Sequence, residues 1–196
     1  MDGYYDPVVT HVLPKPLAIC GFWGAKIPDV GAYISSYTGI SFTDLERRIE
    51  HHLGRSLRHY VSKESKIIAV ERACLEKLSR QSPCVIIALR PETLFDDVCA
   101  LIVQESMDLV FIDTGPNHLQ QGIEELVQTQ RNNRFFLLDD LDWTDPNQLA
   151  EYCLPYRSCF LHARDRLIPQ RNHPRYVAQE VIATFLSGQT YGGGFF

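Results

Sequence analysis

PLAICGFWGAKIPDVGAYISSYTG, residues 16–39, is the stretch that decides the fold of this chain. Its first half is an apolar run of strand length that leads into a turn containing Gly21 and Gly24. Its second half has helical spacing, with Pro28 suited to the first turn of a helix and Gly39 to its end. A strand that passes through a glycine-rich turn into a helix is the usual setting of a phosphate-binding loop. The stretch therefore predicts a strand, a turn of that type and a helix.

Short apolar runs alternate with helical patterns along the rest of the chain. Runs of the length of buried strands lie at 84–89, 107–113 and 165–169. Helical spacing recurs at 44–54, 64–80, 91–104, 115–130, 146–160 and 173–186. Strands separated by helices indicate a parallel sheet that is covered on both faces. The sequence therefore predicts an α/β fold with three layers, α/β/α.

Composition and charge exclude several classes of protein. The chain has 196 residues, of which 45% are hydrophobic and 22% charged, which is typical of one globular domain and not of a disordered chain. Its 19 basic and 24 acidic residues give a net charge of −5, which argues against nucleic acid and anionic membranes as partners. No apolar run has the length of a membrane span, and the N-terminus lacks the pattern of a signal peptide. We therefore expect a cytoplasmic protein.

The six cysteines and seven histidines show no spacing typical of metal ligands. None of the cysteines forms a CxxC pair and most lie in apolar runs, so we expect buried, reduced thiols. The acidic segment DDLDWTD at 139–145 is interpreted as a solvated loop that caps the next helix. The patterns G-x-S-x-G and H-E-x-x-H are absent. The sequence therefore predicts no metal site and no hydrolase of these classes.

Four blocks of the sequence carry a resemblance: GFWGAKIPDVG at 21–31, FTDLERRIEHHLGRSL at 42–57, KESKIIAVE at 63–71 and RFFLL at 134–138. In this order they resemble motifs of the shikimate kinase family. GFWGAKIPDVG at 21–31 is similar to that family's GFMGAGKSTVG, and FTDLERRIEHHLGRSL at 42–57 to its F-x-D-x-D-x-x-I-E-x-x-x-G-R-S-I. KESKIIAVE at 63–71 stands where the family has G-E-x-x-F-R-x-x-E, and RFFLL at 134–138 stands where R-P-L-L marks a lid. The resemblance implies a P-loop kinase-like fold: a five-stranded parallel sheet with a lid and a substrate-binding helical insert.

The resemblance also implies how the chain is divided. We expect an N-terminal extension at residues 1–15 and the shikimate kinase-like domain at residues 16–187. The glycine-rich sequence of residues 188–196 itself predicts a flexible tail. Within the domain, the helical insert corresponds to about residues 41–82 and the lid to about residues 129–145.

The positions that hold phosphate in this family carry different residues here. In the family's Gly-Lys-Ser/Thr triplet, backbone N–H groups surround the phosphates, the lysine reaches their oxygens and the hydroxyl binds Mg²⁺. The triplet falls on Lys26, Ile27 and Pro28, and Asp29 follows. Ile27 has no charge, while Pro28 has neither a hydroxyl nor a backbone N–H. Lysine is also unfavourable at position 26 if the backbone there has a positive φ. We therefore expect no orthodox binding of Mg·ATP, and no cofactor.

The substrate side differs from the family in the same way. The resemblance assigns Asp44 to a catalytic acid that holds Mg²⁺ through water, here vestigial, and Glu46 to a second acid that binds substrate hydroxyls. The family's two arginines that clamp the substrate carboxylate fall on Ile68 and near Tyr152. A glycine triplet after the central strand is replaced by Leu-Arg-Pro, with Arg90 in the middle. Planar, bidentate recognition of a carboxylate is therefore lost at the family positions.

A few family positions are retained. Glu71 is one of them, and we interpret it as the partner of a nearby basic side chain. Arg72 and Arg90 are candidates to replace the missing clamp. The segment Gly-Arg-Ser at 54–56 is interpreted as a helix end followed by a serine cap. Two arginines of the lid-like loop are candidates for anion binding, with solvated loop positions as the alternative: Arg131 and Arg134.

These observations leave three hypotheses for function. The first, which we favour because the loop lysine, the loop hydroxyl and both clamp arginines are replaced together, is a non-catalytic pseudokinase that binds a protein partner or a small hydroxylated acid. The second is a divergent kinase for shikimate or a related acid, which uses Mg·ATP with Lys26 and Arg134 supplying charge. The third is an enzyme of other chemistry that uses the cleft around Asp44, Glu46 and Glu71.

Overall fold

The computed structural model describes residues 13–22, 24–57, 59–60, 64–81, 83–115, 118–119, 121, 148, 151, 166–169 and 173–186. Five strands form one sheet in the order β2-β3-β1-β4-β5, and every pair of neighbours is parallel. This confirms the predicted five-stranded parallel sheet. The strands are β1 Leu17–Gly21, β2 Phe42–Asp44, β3 Ile86–Ala88, β4 Asp108–Asp113 and β5 Arg166–Pro169.

Several of the helices begin or end at a cap that the sequence provides. Gly39 ends the first helix with a φ of +72°, and its N–H donates to the carbonyl of Ser35. Asp96 begins the fourth by accepting from the N–H of Cys99 at 2.9 Å. The helices are α1 Ile27–Thr38, α2 Leu45–Leu53, α3 Glu64–Ser79, α4 Asp97–Ser106 and α5 Pro174–Phe185, with a 3₁₀ turn at Thr93–Phe95 before α4.

The sheet is covered on both faces, which confirms the three-layer prediction. Because successive strand residues point to opposite faces, Ala18 and Phe111 pack in one apolar cluster with residues of α2, α3 and α4. Ile19 and Val110 pack in a second cluster with residues of α1 and α5. Three of the four described cysteines, all of them free, are buried in the first cluster: Cys20, Cys74 and Cys99.

Two sequence predictions of local structure need correction. The strand β2 was not predicted, because it has only three residues, all half-buried, directly before the amphipathic α2. The helix predicted at 91–104 begins only at residue 97, because the 3₁₀ turn and the cap at Asp96 precede it. The predicted helices at 115–130 and 146–160 lie largely outside the described residues, as does the extension at 1–15; the lid and the tail lie wholly outside them. No helix in the described part of the chain is long and apolar enough to cross a membrane.

Candidate functional site

The candidate site lies at the carboxyl edge of the sheet, where open parallel sheets bind their ligands. Ile19 of β1, Ala88 of β3 and Asp44 of β2 stand level with one another across three neighbouring strands. The glycine turn therefore leaves β1 beside the point where Arg90 follows β3. The sheet thus brings the turn, the acid of β2 and the cluster around Arg90 to one edge.

The turn after β1 has the left-handed backbone that its sequence disfavours. Lys26 has φ +50° and ψ +41°, and it is the one non-glycine residue with a positive φ among those that the structure describes. Its carbonyl accepts from the N–H groups of Asp29 at 3.0 Å and Val30 at 3.1 Å, which starts α1. Position 26 therefore has the geometry in which glycine is the ordinary residue and a Cβ is strained.

Ile27 turns inward from this loop. It is 5% exposed and belongs to the apolar cluster between the sheet and α1. A Cβ added to Gly21 would lie 3.0 Å from Ile27 Cδ1, 3.0 Å from Ala25 Cβ and 2.9 Å from the carbonyl oxygen of Ile112. The isoleucine side chain therefore reaches back to the first glycine of the turn, and the turn closes over an apolar side chain.

The two residues after Ile27 are exposed at the beginning of α1. Pro28 lies in the first turn of the helix, where it donates no backbone hydrogen bond. Asp29 is the acidic residue of the same turn, and its carboxylate complements the positive end of the helix dipole. Compared with a helix that begins without Pro28 and Asp29, this helix offers an approaching anion one backbone N–H donor fewer and adds one negative charge.

Asp44 serves as the cap of α2. Its Oδ1 accepts from the N–H of Arg47 at 3.3 Å, and its Oδ2 lies 3.4 Å from Arg47 Nε. Burial raises the pKa of Asp44, in part against the hydrogen bond from Arg47. Glu46 lies in the first turn of α2, close enough to Arg90 to influence its pKa. Asp44 is thus hydrogen-bonded to its own helix, and the structure shows no described residue that shares a metal-ligand cluster with it.

Glu71 is the centre of a buried network. Arg90 Nη1 lies 2.8 Å from Glu71 Oε2, and the hydroxyl of Thr93 donates to Glu71 Oε1 at 2.6 Å. Thr93 Oγ1 in turn accepts from the backbone N–H of Arg90 at 3.1 Å. Burial raises the pKa of Glu71, while Arg90 and Thr93 oppose that shift. Burial lowers the pKa of Arg90, but the negative charges of Glu92, Glu71 and Glu46 raise it by more. The pKa of Arg90 is therefore above its ordinary value. The basic partner expected for Glu71 is therefore Arg90.

A second ion pair lies beside the first. Arg72 holds Asp96 with two contacts, Nε–Oδ1 at 2.9 Å and Nη2–Oδ2 at 2.5 Å. The hydrogen bond from Arg72 keeps the pKa of Asp96 well below its usual range. Both arginines considered as substitutes for the missing clamp are therefore paired within the chain. Thr93 and Asp96 were not singled out from the sequence, because the helical spacing predicted at 91–104 placed both inside a helix and so concealed the cap at Asp96.

The remaining predicted positions are spread over the structure or lie outside it. Ile68 is half-buried on α3. Gly54 ends α2 with a φ of +69°, as predicted. Ser56 donates its hydroxyl to Glu50 Oε1 at 2.8 Å, and the same oxygen accepts from Leu57 N–H at 3.0 Å, so Glu50 makes the contact that was expected of the serine. Three predicted site residues lie outside the described residues: Arg131, Arg134 and Tyr152.

Part of this chain is similar in sequence to a known enzyme. A shikimate kinase from Chlorobaculum tepidum is 26% identical to this chain over 103 residues, which are 52% of the chain and 53% of that enzyme. The match thus spans about half the length of that relative. No family model matches the chain.

Solved structures agree with this result at the level of the fold. Shikimate kinase from Acinetobacter baumannii, in complex with shikimate, has a TM-score of 0.73 at 17% identity over 90% of this chain and 96% of that one. Shikimate kinase from Bacteroides thetaiotaomicron has a TM-score of 0.67 at 14% identity, with 87% and 97% covered. The Aquifex aeolicus enzyme has 0.63 at 19%, with 91% and 99% covered. This chain is therefore similar in sequence, over about half its length, to a shikimate kinase, and it has the fold of the shikimate kinases, which is that of the P-loop kinases.

Proposed function

We propose that this shikimate kinase-like protein does not transfer phosphate from ATP and acts as a non-catalytic binding or regulatory protein. Its partner on this proposal is a protein or a small hydroxylated acid. The observation that carries the proposal is the burial of Ile27. The position that supplies the phosphate-binding lysine in the resembling family is here an apolar side chain, 5% exposed, inside the core.

The residues of the turn do not fit Mg·ATP. Position 27 carries no charge that could replace the lysine of the resembling family. The side chain of Ile27 instead lies against Gly21 at the end of β1. Pro28 offers no hydroxyl to a metal ion and no N–H to a phosphate. The carboxylate of Asp29 repels a phosphate at the same helix end. Each of these changes alone weakens anion binding, and all three act on one ligand.

The substrate side supports the same proposal. The guanidinium that follows β3 is that of Arg90, and its charge is balanced by Glu71 and Glu92 at 2.8 and 3.3 Å. A guanidinium that is already paired offers little attraction to the carboxylate of a substrate. The half-buried Ile68, at the position of a clamp arginine, offers none.

A divergent kinase is the second candidate, and the exposure of Lys26 favours it. This side chain lies at the beginning of α1, on the solvent side of the turn, where an ammonium group attracts phosphate. The two candidates differ in one measurable respect. A divergent kinase requires Lys26 for nucleotide binding, whereas a pseudokinase of the kind proposed does not bind nucleotide at all.

The experiment is a calorimetric titration of ATP and ADP, each with and without Mg²⁺. Shikimate kinase from Acinetobacter baumannii, measured in the same buffer, is the positive control. We expect no binding up to millimolar nucleotide and no turnover of ATP in the presence of shikimate. Micromolar binding that disappears in Lys26→Ala would overturn the proposal in favour of the divergent kinase. The variant Lys77→Ala, which removes a charge from the exposed face of α3, controls for nonspecific loss of charge.

A further inference from the structure

The segment after β3 has the features of a carboxylate-binding site. The Nη1 of Arg90 and the hydroxyl of Thr93 meet the two oxygens of one carboxylate, at 2.8 and 2.6 Å. Both are donors suited to an ionised acid, and contacts of this kind are stronger than those between neutral groups. The backbone N–H of Arg90 donates to Thr93 Oγ1, which directs the hydroxyl proton at the acid. The 3₁₀ turn thus holds both donors in place.

The acid that fills this site comes from a different element. Glu71 lies on α3, 19 residues before Arg90 along the chain, and it is 3% exposed. Thr93 is fully buried, and the side chain of Arg90 is 10% exposed. Solvent therefore has almost no access to the contact. The two donors follow β3 at the edge of the sheet, whereas the acceptor lies on α3 in the helical insert. Donors and acceptor are therefore supplied by separate parts of the chain.

We propose that residues 90–93 form a carboxylate-binding site whose built-in occupant is Glu71. The occupant holds α3 against the sheet, and a free acid enters only by displacing it. This inference rests on the proposed function in one respect: it assumes that the cleft does not turn over a substrate. Glu71 would then occupy the carboxylate site in place of a substrate acid. It concerns the acid side of the cleft alone and is tested without nucleotide.

The neighbouring acids do not fill the same role. Glu92 lies 3.3 Å from Arg90 Nη2, but its Oε2 is buried without a hydrogen-bond partner, so the geometry of that contact is poor. Asp96 is held by Arg72 instead. Removal of Glu71 therefore leaves a buried guanidinium without a well-placed carboxylate, a situation that is strongly destabilising.

Rescue of a truncated variant by a free acid tests this inference. The variant Glu71→Ala removes a carboxylate of about the size of acetate, and we expect its melting temperature to fall by about 6–15 °C. Sodium acetate, titrated at constant ionic strength against chloride, should then raise the melting temperature of this variant by about 3 °C more than that of the wild type. Equal shifts in the two proteins would overturn the proposal.

Two further variants keep the test decisive. The variant Glu71→Ala/Arg90→Ala also lacks the guanidinium that binds the acid, so acetate should not raise its melting temperature more than that of the wild type. A larger rise in this variant would contradict the assignment of Arg90. If Glu71→Ala does not fold, hydrogen exchange of Glu71→Gln replaces the melting experiment. Amides of α3 should then exchange about tenfold faster relative to those of β1. Glu76→Gln, on the exposed face of the same helix, is the control, and identical α3 protection in both variants would overturn the inference.

Discussion

The turn at residues 21–27 and the cluster around Arg90 lie at the ends of adjacent strands, but they are held together by opposite kinds of contact. In the turn, Ile27 is packed against Gly21 and the core, and the exposed charges stand outside. In the cluster, Glu71 and Thr93 are buried and the side chain of Arg90 is 10% exposed, and the three residues are joined by hydrogen bonds and an ion pair. A binding edge can thus be closed either by apolar packing or by internal pairing of charges.

The difference determines how each region should respond to substitution. The effect of a substitution on apolar packing varies continuously. A misfit of one methyl group changes the free energy of unfolding by an amount that depends on how far the neighbouring side chains can relax. The loss of one partner of a buried ion pair has a large effect on the free energy of unfolding in every case, because the other partner stays charged and is shielded from solvent. Substitutions in the cluster should therefore be more destabilising than substitutions in the turn.

The largest effect is expected in the cluster. Arg90→Met should lower the free energy of unfolding by about 3–5 kcal/mol, because Glu71 loses its charged partner in a buried position. Arg90→Met/Glu71→Leu should recover most of that loss, since two apolar side chains replace the pair without leaving a charge. Urea unfolding measures both. A double variant no more stable than the single variant would show that the pair is not the source of the effect.

A smaller effect is expected in the turn. Gly21→Ala places a Cβ within 3.0 Å of Ile27 Cδ1 and Ala25 Cβ and 2.9 Å from a backbone oxygen, and should be destabilising by about 1–3 kcal/mol. Gly39→Ala is the matched control, because a Cβ there meets open space and only the φ of +72° opposes it. Chemical denaturation should show the greater loss at Gly21, and the reverse order would refute the close packing described here.

The strain at Lys26 predicts a substitution that stabilises. Lys26→Gly should raise the free energy of unfolding by about 0.5–1 kcal/mol, because relief of the left-handed conformation exceeds the entropy that glycine adds to the unfolded chain. Lys15→Gly, also exposed but without a positive φ, should give no such gain. Differential scanning calorimetry compares the two, and loss of stability in Lys26→Gly would mean that the strain at position 26 is smaller than the stabilisation that the lysine provides.

The smallest effect is a pH dependence at the half-buried pair of Arg72 and Asp96. Arg72 holds the pKa of Asp96 below its ordinary value of 3.8, so the pair contributes stability above that pH and loses it as the pH falls toward the lower, folded pKa. Glu71 and Asp44 have raised pKa values and act in the opposite direction, so the comparison must be made against a variant. Asp96→Asn keeps a cap for α4 and removes the charge. The wild type should lose its advantage over this variant in acid, and a constant difference would contradict the prediction.

The sequence predicted the fold better than the site because the two depend on different information. Apolar runs and caps are local, so β1, β3, β4, β5 and α1 follow from residues that are neighbours in the chain. A short strand such as β2, at 42–44, has too few residues for a period to appear. The partner of Glu71 was expected to be basic, but its identity as Arg90 depends on how α3 packs against the end of β3. The inward direction of Ile27 likewise depends on tertiary packing.

The order of charges on α3 has a consequence for how this helix finds its place. Glu71 and Arg72 are adjacent, and they face Arg90 and Asp96, so acid meets base twice along one segment. A shift of α3 by one residue in one direction would bring Arg72 against Arg90, and a shift in the other would bring Glu71 against Asp96. Like charges would meet in both cases. Two neighbouring residues of opposite sign therefore reinforce the register that the apolar face of α3 also requires, because a shift by one residue rotates that face by about 100° away from the core.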